Sequence, residues 1–224
     1  MTSLRMRVFE ALRSGIIRGI LPLGSTIVEQ QVADQLGVSR TPVREALHKM
    51  EGIGLVERSD PRKPYVVRGF TAKDVDDIAS VRILLEGAAI RRATPLLSRE
   101  DFTRLHQLLE EMEGSATDPD SGGLHNTAHQ QFHLYMAEQS ENRYLEKLVT
   151  SVLDYAAMVW KAYRPSESHL ASAQQSHRLM VDAMERGDWH SAQQILREHI
   201  ELSLERTKQL IRRREESRGI QDFF

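Results

Sequence analysis

Leu36-Gly37-Val38-Ser39-Arg40-Thr41-Pro42-Val43-Arg44-Glu45-Ala46-Leu47-His48-Lys49-Met50 decides the reading of the first third of the chain. Gly37 tolerates the left-handed conformation that closes a helix. Ser39 and Thr41 are suited to open the next one as N-caps, and Pro42 is allowed in a first turn. Two helices therefore meet at a tight turn. Beyond it Val43, Ala46, Leu47 and Met50 recur at i, i+3, i+4 and i+7, an apolar stripe that must pack inward. Arg40, Thr41, Arg44 and His48 lie off that stripe. Arg40 and Arg44 stand one turn apart at the helix N-terminus, where backbone N–H groups and the macrodipole favour anions. This is the build of a recognition helix, whose N-terminal side chains enter the major groove of DNA. An ordinary helical hairpin with a basic face has the same geometry, so the turn alone leaves both readings open.

The flanking sequence extends the pattern. Residues 4–18 are amphipathic through Val8, Ala11, Leu12, Gly15 and Ile16, and run into the turn-rich Gly19-Ile20-Leu21-Pro22-Leu23-Gly24. Residues 27–36, with Ile27, Val32, Ala33 and Leu36 inward, predict the second helix. Downstream, the β-prone runs 55–58 and 65–68 flank Ser59-Asp60-Pro61-Arg62-Lys63-Pro64, a hairpin with a basic tip. Three helices and a two-stranded wing make a winged helix-turn-helix over residues 1–70.

Ser39-Arg40-Thr41-Pro42-Val43-Arg44-Glu45-Ala46-Leu47, followed by Glu51-Gly52-Ile53-Gly54-Leu55-Val56, closely resembles the signature of GntR-type bacterial transcription regulators, and the similarity includes Gly19, Pro22 and Gly24. The resemblance implies a double-stranded DNA operator as partner, contacted by Ser39, Arg40, Thr41, Arg44 and Lys49, with Arg62 and Lys63 from the wing. Two places depart from the usual pattern. The second helix reads Glu29-Gln30-Gln31 where relatives often carry an Arg, and the wing tip has no Gly for close approach to the minor groove. Arg62 and Lys63 are therefore expected on phosphates, not bases.

Composition bounds the rest. At 224 residues the chain has room for two modest domains, each with a core. It contains no Cys, which removes disulfides, iron–sulfur clusters, thiolate zinc sites and cysteine nucleophiles and fits a reducing compartment. No apolar run reaches the length of a membrane span and the start does not read as a signal peptide, so a soluble, cytoplasmic protein with no membrane partner is expected. The net charge of −2 divides unevenly. Residues 1–70 hold 11 Lys and Arg against 7 Asp and Glu, a balance of +4, which leaves −6 for the remainder. Only the basic part is suited to phosphate.

Residues 71–224 read as an all-helical bundle. Thr71-Ala72-Lys73-Asp74 and Ser98-Arg99-Glu100-Asp101 are capping sequences. They precede helices over 75–93 and 102–113, and residues 114–123 are loop-like. Further helices are predicted over 127–139, 142–163, about 166–186 and 188–213, with Asn142 as a cap and residues 214–224 as a frayed tail. Six helices can close such a bundle.

Nine His occur, and any one on a helix is most often a surface or satisfied core residue. His129 and His133 differ, because i, i+4 spacing projects both rings from one helix face. His177 and His199 sit among apolar neighbours on later helices. Imidazoles brought together from three helices can hold a first-row metal, although spacing alone does not bring them together. His129 through His133, Ser140-Glu141-Asn142 with Leu145, and the stretch from His177 to His199-Ile200 look like the FCD effector domain of the FadR subfamily of GntR regulators. Many members of that family bind a divalent metal through three His and one Asp. The resemblance places His133, His177 and His199 on the His positions and puts His129 where the Asp stands. The implied cofactor is zinc or nickel, on ligand softness. Arg82 matches an Arg of that domain that faces the ligand cavity, although a salt bridge to Glu86 at i+4 is an equally simple role for it.

The expected function is a ligand-responsive transcription regulator, homodimeric on a pseudo-palindromic operator, with a small organic acid as effector. A metal-dependent hydrolytic enzyme is the alternative, since a His cluster can activate water. Against it, no acidic residue stands out as a general base beside the His positions. A non-catalytic, partner-binding helical protein is the third reading.

Overall fold

The computed structural model describes residues 3–116, 124–163 and 167–221, and it divides into two compact units, residues 1–70 and 71–224. The first unit contains helix α1 (Leu4–Ile17), strand β1 (Thr26–Ile27), α2 (Glu29–Leu36), α3 (Arg40–Gly52), β2 (Val56–Glu57) and β3 (Tyr65–Val67). Gly37 ends α2 with φ +64°, as the tight turn requires, and Ser39 occupies the N-cap of α3 without a side-chain capping bond. The stripe Val43, Ala46, Leu47 and Met50 is wholly buried. Against it packs α1, through Val8, Phe9, Leu12 and Ile16. Each such aliphatic or aromatic side chain withdrawn from water contributes about 1.5–3 kcal/mol.

The sheet corrects one expectation. It has three antiparallel strands in the order β1-β3-β2, with Ile27 opposite Tyr65 and Val56 opposite Val67. Ile27 therefore belongs to a strand and not to the start of α2, and its buried side chain serves the sheet face. Gly24, at φ +78°, turns the chain so that its N–H reaches Val67 O at 2.8 Å.

The second unit is helical: α4 (Ala72–Ala93), α5 (Arg99–Ala116), α6 (Leu124–Glu138), α7 (Arg143–Ala162), α8 (Glu167–Glu185) and α9 (Trp189–Gln221). Both expected caps form reciprocal bonds. Thr71 Oγ1 accepts from Asp74 N at 3.1 Å while Asp74 Oδ2 accepts from Thr71 N at 2.9 Å, and Ser98 and Asp101 repeat the arrangement. Asn142 caps α7, accepting from Tyr144 N and Leu145 N. Packing of α4 against α6, α7 and α9, and of α5 against α6 and α8, buries one core that includes Ile90, Leu105, Leu108, Phe132, Met180 and Leu196. At Gly87 an added Cβ would stand 3.4 Å from the Gln193 amide, and Gln193 Nε2 donates to Gly87 O at 2.6 Å, so glycine lets α4 and α9 approach closely.

Two helix ends differ from expectation. α5 continues to Ala116, into the stretch read as a loop, of which residues 117–123 lie outside the described residues. α9 continues to Gln221 through most of the expected tail, of which 222–224 are likewise not described. No described helix is long and apolar enough to cross a membrane.

Candidate nucleic-acid interface and metal centre

In the first unit, the exposed side of α3 carries Arg40, Thr41, Arg44 and His48, opposite the buried stripe. Ser39 is exposed at its start. Both arginines are held by one carboxylate that sequence reasoning passed over. Arg44 donates from Nε and Nη2 to Glu29 at 3.1 and 2.8 Å, and Arg40 Nη2 donates to the same residue at 3.2 Å. The hydrogen bond from Arg44 dominates in holding the Glu29 carboxyl below its ordinary range. Glu29 opens α2, so its charge also faces the positive end of that helix.

Lys49 is separated from this group, because its ammonium lies 4.1 Å from the centre of the Phe9 ring on α1. Arg62 and Lys63 are exposed at the wing tip, where Asp60 accepts from both of their backbone N–H groups. Arg58 fastens the wing to α3. It donates to both oxygens of Glu51 and covers the Tyr65 ring at 4.6 Å.

In the second unit, His129 and His133 on α6, His177 on α8 and His199 on α9 converge. Their ring centres lie 4.5 to 6.1 Å apart, and one nitrogen from each falls within 4.8 Å of the other three. His133 Nε2 and His177 Nε2 are 3.2 Å apart. Burial, then the neighbouring imidazoles, push His177 well below its ordinary pKa. Burial, His133 and Arg82 bring His199 down to about 3. These two rings are therefore neutral at pH 7 and carry lone pairs. Tetrahedral nitrogen ligands about 2.0–2.1 Å from a metal stand roughly 3.4 Å from each other, so a modest contraction of the cluster fits a first-row ion.

Behind the cluster stands Glu86, a buried carboxylate that the sequence alone does not place beside the His positions. Its Oε2 is 2.7 Å from His133 Nδ1, off the line of a well-directed hydrogen bond, and its Oε1 accepts from Arg82 Nε at 2.7 Å. Burial raises the Glu86 pKa, but Arg82 and His133 outweigh it and hold the carboxyl at about 2. Glu86 meets the outer nitrogen of His133 and not the space between the rings, the place of a group that orients a ligand. The i+4 pairing of Arg82 with Glu86 forms. Arg82 Nε serves Glu86, while its Nη2 is buried with no hydrogen-bond partner among the described residues, and the side chain lines a cavity of about 70 Å³ shared with His129, His177 and His199.

Residues 4–66 match the model of the gntR family of bacterial regulatory proteins, and residues 77–202 match that of the FCD domain. The chain belongs to the GntR family. This GntR protein is 32% identical to a probable D-xylose utilization operon transcriptional repressor of Paenarthrobacter nicotinovorans, over 89% of this chain and 86% of that one. It is 26% identical to the Glc operon transcriptional activator of Escherichia coli, over 86% and 84% of the two chains. In fold it is similar to E. coli McbR/YncC, with a TM-score of 0.83 at 23% identity over 93% of this chain and 99% of the other. The GntR chain is thus a DNA-binding transcription regulator with an FCD domain, and not an enzyme.

Proposed function

We propose that this GntR regulator binds a pseudo-palindromic operator as a homodimer in the bacterial cytoplasm and is retuned by a small carboxylate held beside a divalent metal. Ser39, Arg40, Thr41 and Arg44 meet the major groove, and Lys49, Arg62 and Lys63 supply charge toward the backbone. His129, His133, His177 and His199 hold the metal, zinc or nickel on the softness of imidazole. When bound, the metal supplies a Lewis-acidic position for a carboxylate oxygen.

The observation that carries the effector reading is Arg82, a buried guanidinium with one edge on Glu86 and with Nη2 unpaired among the described residues, beside a cavity that His129, His177 and His199 also line. A buried donor without a partner is costly, and an incoming carboxylate removes that cost. α4 carries Arg82 and is the first element after the winged helix, so a shift of α4 is passed along the chain toward the DNA-binding unit. The effector must bind two states of the dimer unequally for DNA binding to change.

Elemental analysis of tag-free protein is expected to find about one zinc or nickel per chain. His177→Ala is expected to lose it together with the melting-temperature rise that added zinc gives the wild type, since a ligand bound only by the native state stabilises it. Protein with no bound metal and no thermal response to zinc or nickel would contradict the metal assignment.

A further inference from the structure

The cavity beside the imidazole cluster has a second polar end. His169 lies on α8, lines the same cavity, is 6% exposed, and its Nδ1 is buried with no hydrogen-bond partner among the described residues. The shared lining is mostly apolar or small, including Ala157, Trp160 and Leu170, with Gln130 and Gln174 among its polar side chains. A buried ring nitrogen costs free energy unless something bonds to it. His169 is also the third residue of α8, a helix of 19 residues, where unpaired N–H groups and the macrodipole favour negative charge.

We infer that the effector is a dicarboxylate: one carboxylate sits between the imidazole cluster and Arg82, and the other accepts a hydrogen bond from His169. The inference rests on the effector site proposed above and names what that site selects. Its length follows from helix geometry. His169 and His177 are eight residues apart on α8, about 12 Å of rise, and they stand within about 80° of each other around the axis. At a helix's outer radius of about 5–6 Å that angle adds about 7 Å sideways and sets the ring tips roughly 14 Å apart. Subtracting a hydrogen bond of roughly 3 Å at one end and metal–nitrogen and metal–oxygen bonds of about 2 Å each at the other leaves about 7 Å, the span of a chain of roughly five to six carbons. The cavity of about 70 Å³ has room for several waters, and so for a short chain in their place. A monocarboxylate of equal length would fill the passage but leave Nδ1 of His169 unpaired. A shorter dicarboxylate would reach only one end.

Thermal shift of the zinc-loaded, full-length protein tests this, with acetate, butyrate and hexanoate set against succinate, glutarate, adipate and pimelate at one concentration. Wild type is expected to rise most with glutarate to pimelate, and adipate to bind at least about tenfold more tightly than hexanoate. His169→Leu is expected to abolish that preference while keeping its zinc and the response to hexanoate, and His169→Gln, which retains an N–H donor, to restore part of it. Equal shifts by hexanoate and adipate in the wild type, or an undiminished adipate preference in His169→Leu, would overturn the second pole and leave the Arg82 site standing. Absence of any carboxylate response would overturn the Arg82 site and this inference with it.

Discussion

Glu29 shows how one residue changes what its neighbours can do. Its carboxylate takes Nε and Nη2 of Arg44 and one nitrogen of Arg40, so on the proposed reading only the remaining guanidinium N–H groups are left to meet DNA. The contact orients the two arginines and cancels part of their charge, which disfavours indiscriminate phosphate binding. Glu29→Gln is accordingly expected to tighten binding to unrelated DNA several-fold, steepen its salt dependence, and narrow the ratio of specific to non-specific affinity. Anisotropy titrations at two salt concentrations measure this, and an unchanged ratio would remove the role given to Glu29. Arg44→Ala is the reference: it should weaken operator binding roughly 5- to 150-fold, whereas Lys63→Ala should weaken all sequences alike. Neither the contact of Glu29 with the two arginines nor that of Glu86 with His133 was legible. Glu29 lies 11 and 15 residues from its arginines, across a turn. Glu86 meets His133 only after α4 and α6 pack, although its i+4 pairing with Arg82 was readable.

Among elements, legibility followed periodicity. α3 was readable because four apolar positions at helical spacing and a Gly–Ser turn agree, and every one of those positions is buried. The caps of α4, α5 and α7 were readable because a side-chain oxygen near its own backbone N–H needs no tertiary information. β1 was not, since two residues have no period and Ile27 becomes a strand only by pairing with Tyr65. The length of α9 was missed for the converse reason: beyond residue 213 the sequence has no apolar stripe, yet the helix continues. Convergence of the four His depended on the family resemblance, because spacing fixes only the pair on α6. The Thr71–Asp74 box gives an element-scale prediction. Thr71→Ala leaves the first turn of α4 short of an acceptor and is expected to cost about 1 kcal/mol by chemical denaturation. An unchanged denaturation midpoint would mean that the cap contributes nothing.

For the molecule as a whole, the buried rings of His177 and His199 tie stability to pH. Unfolded, His177 and His199 take up protons near 6.5, while in the fold they resist protonation, His199 down to about 3. Their folded pKa values are depressed, so below pH 6.5 the unfolded chain binds more protons and stability falls as pH drops. Glu86 stays ionised throughout that window, which leaves the imidazoles to set the slope. Chelator-treated protein is expected to melt at progressively lower temperature between pH 7 and pH 5, with a cost approaching about 1.4 kcal/mol per pH unit for each ring. A flat profile would contradict the buried neutral state. The same buried set is proposed to sense the effector, and the two units are joined through the start of α4. The most direct measurement is anisotropy of labelled DNA from the promoter region next to the protein's own gene. It is titrated with zinc-loaded wild type, Arg82→Ala and Arg82→Lys, the last keeping a cation beside Glu86, in the presence and absence of the short carboxylate giving the largest thermal shift. Wild-type operator affinity is predicted to change about 5- to 150-fold with the acid, and both variants to bind the operator within roughly twofold of wild type without responding. An Arg82 variant that responds at the wild-type concentration of acid would contradict the account.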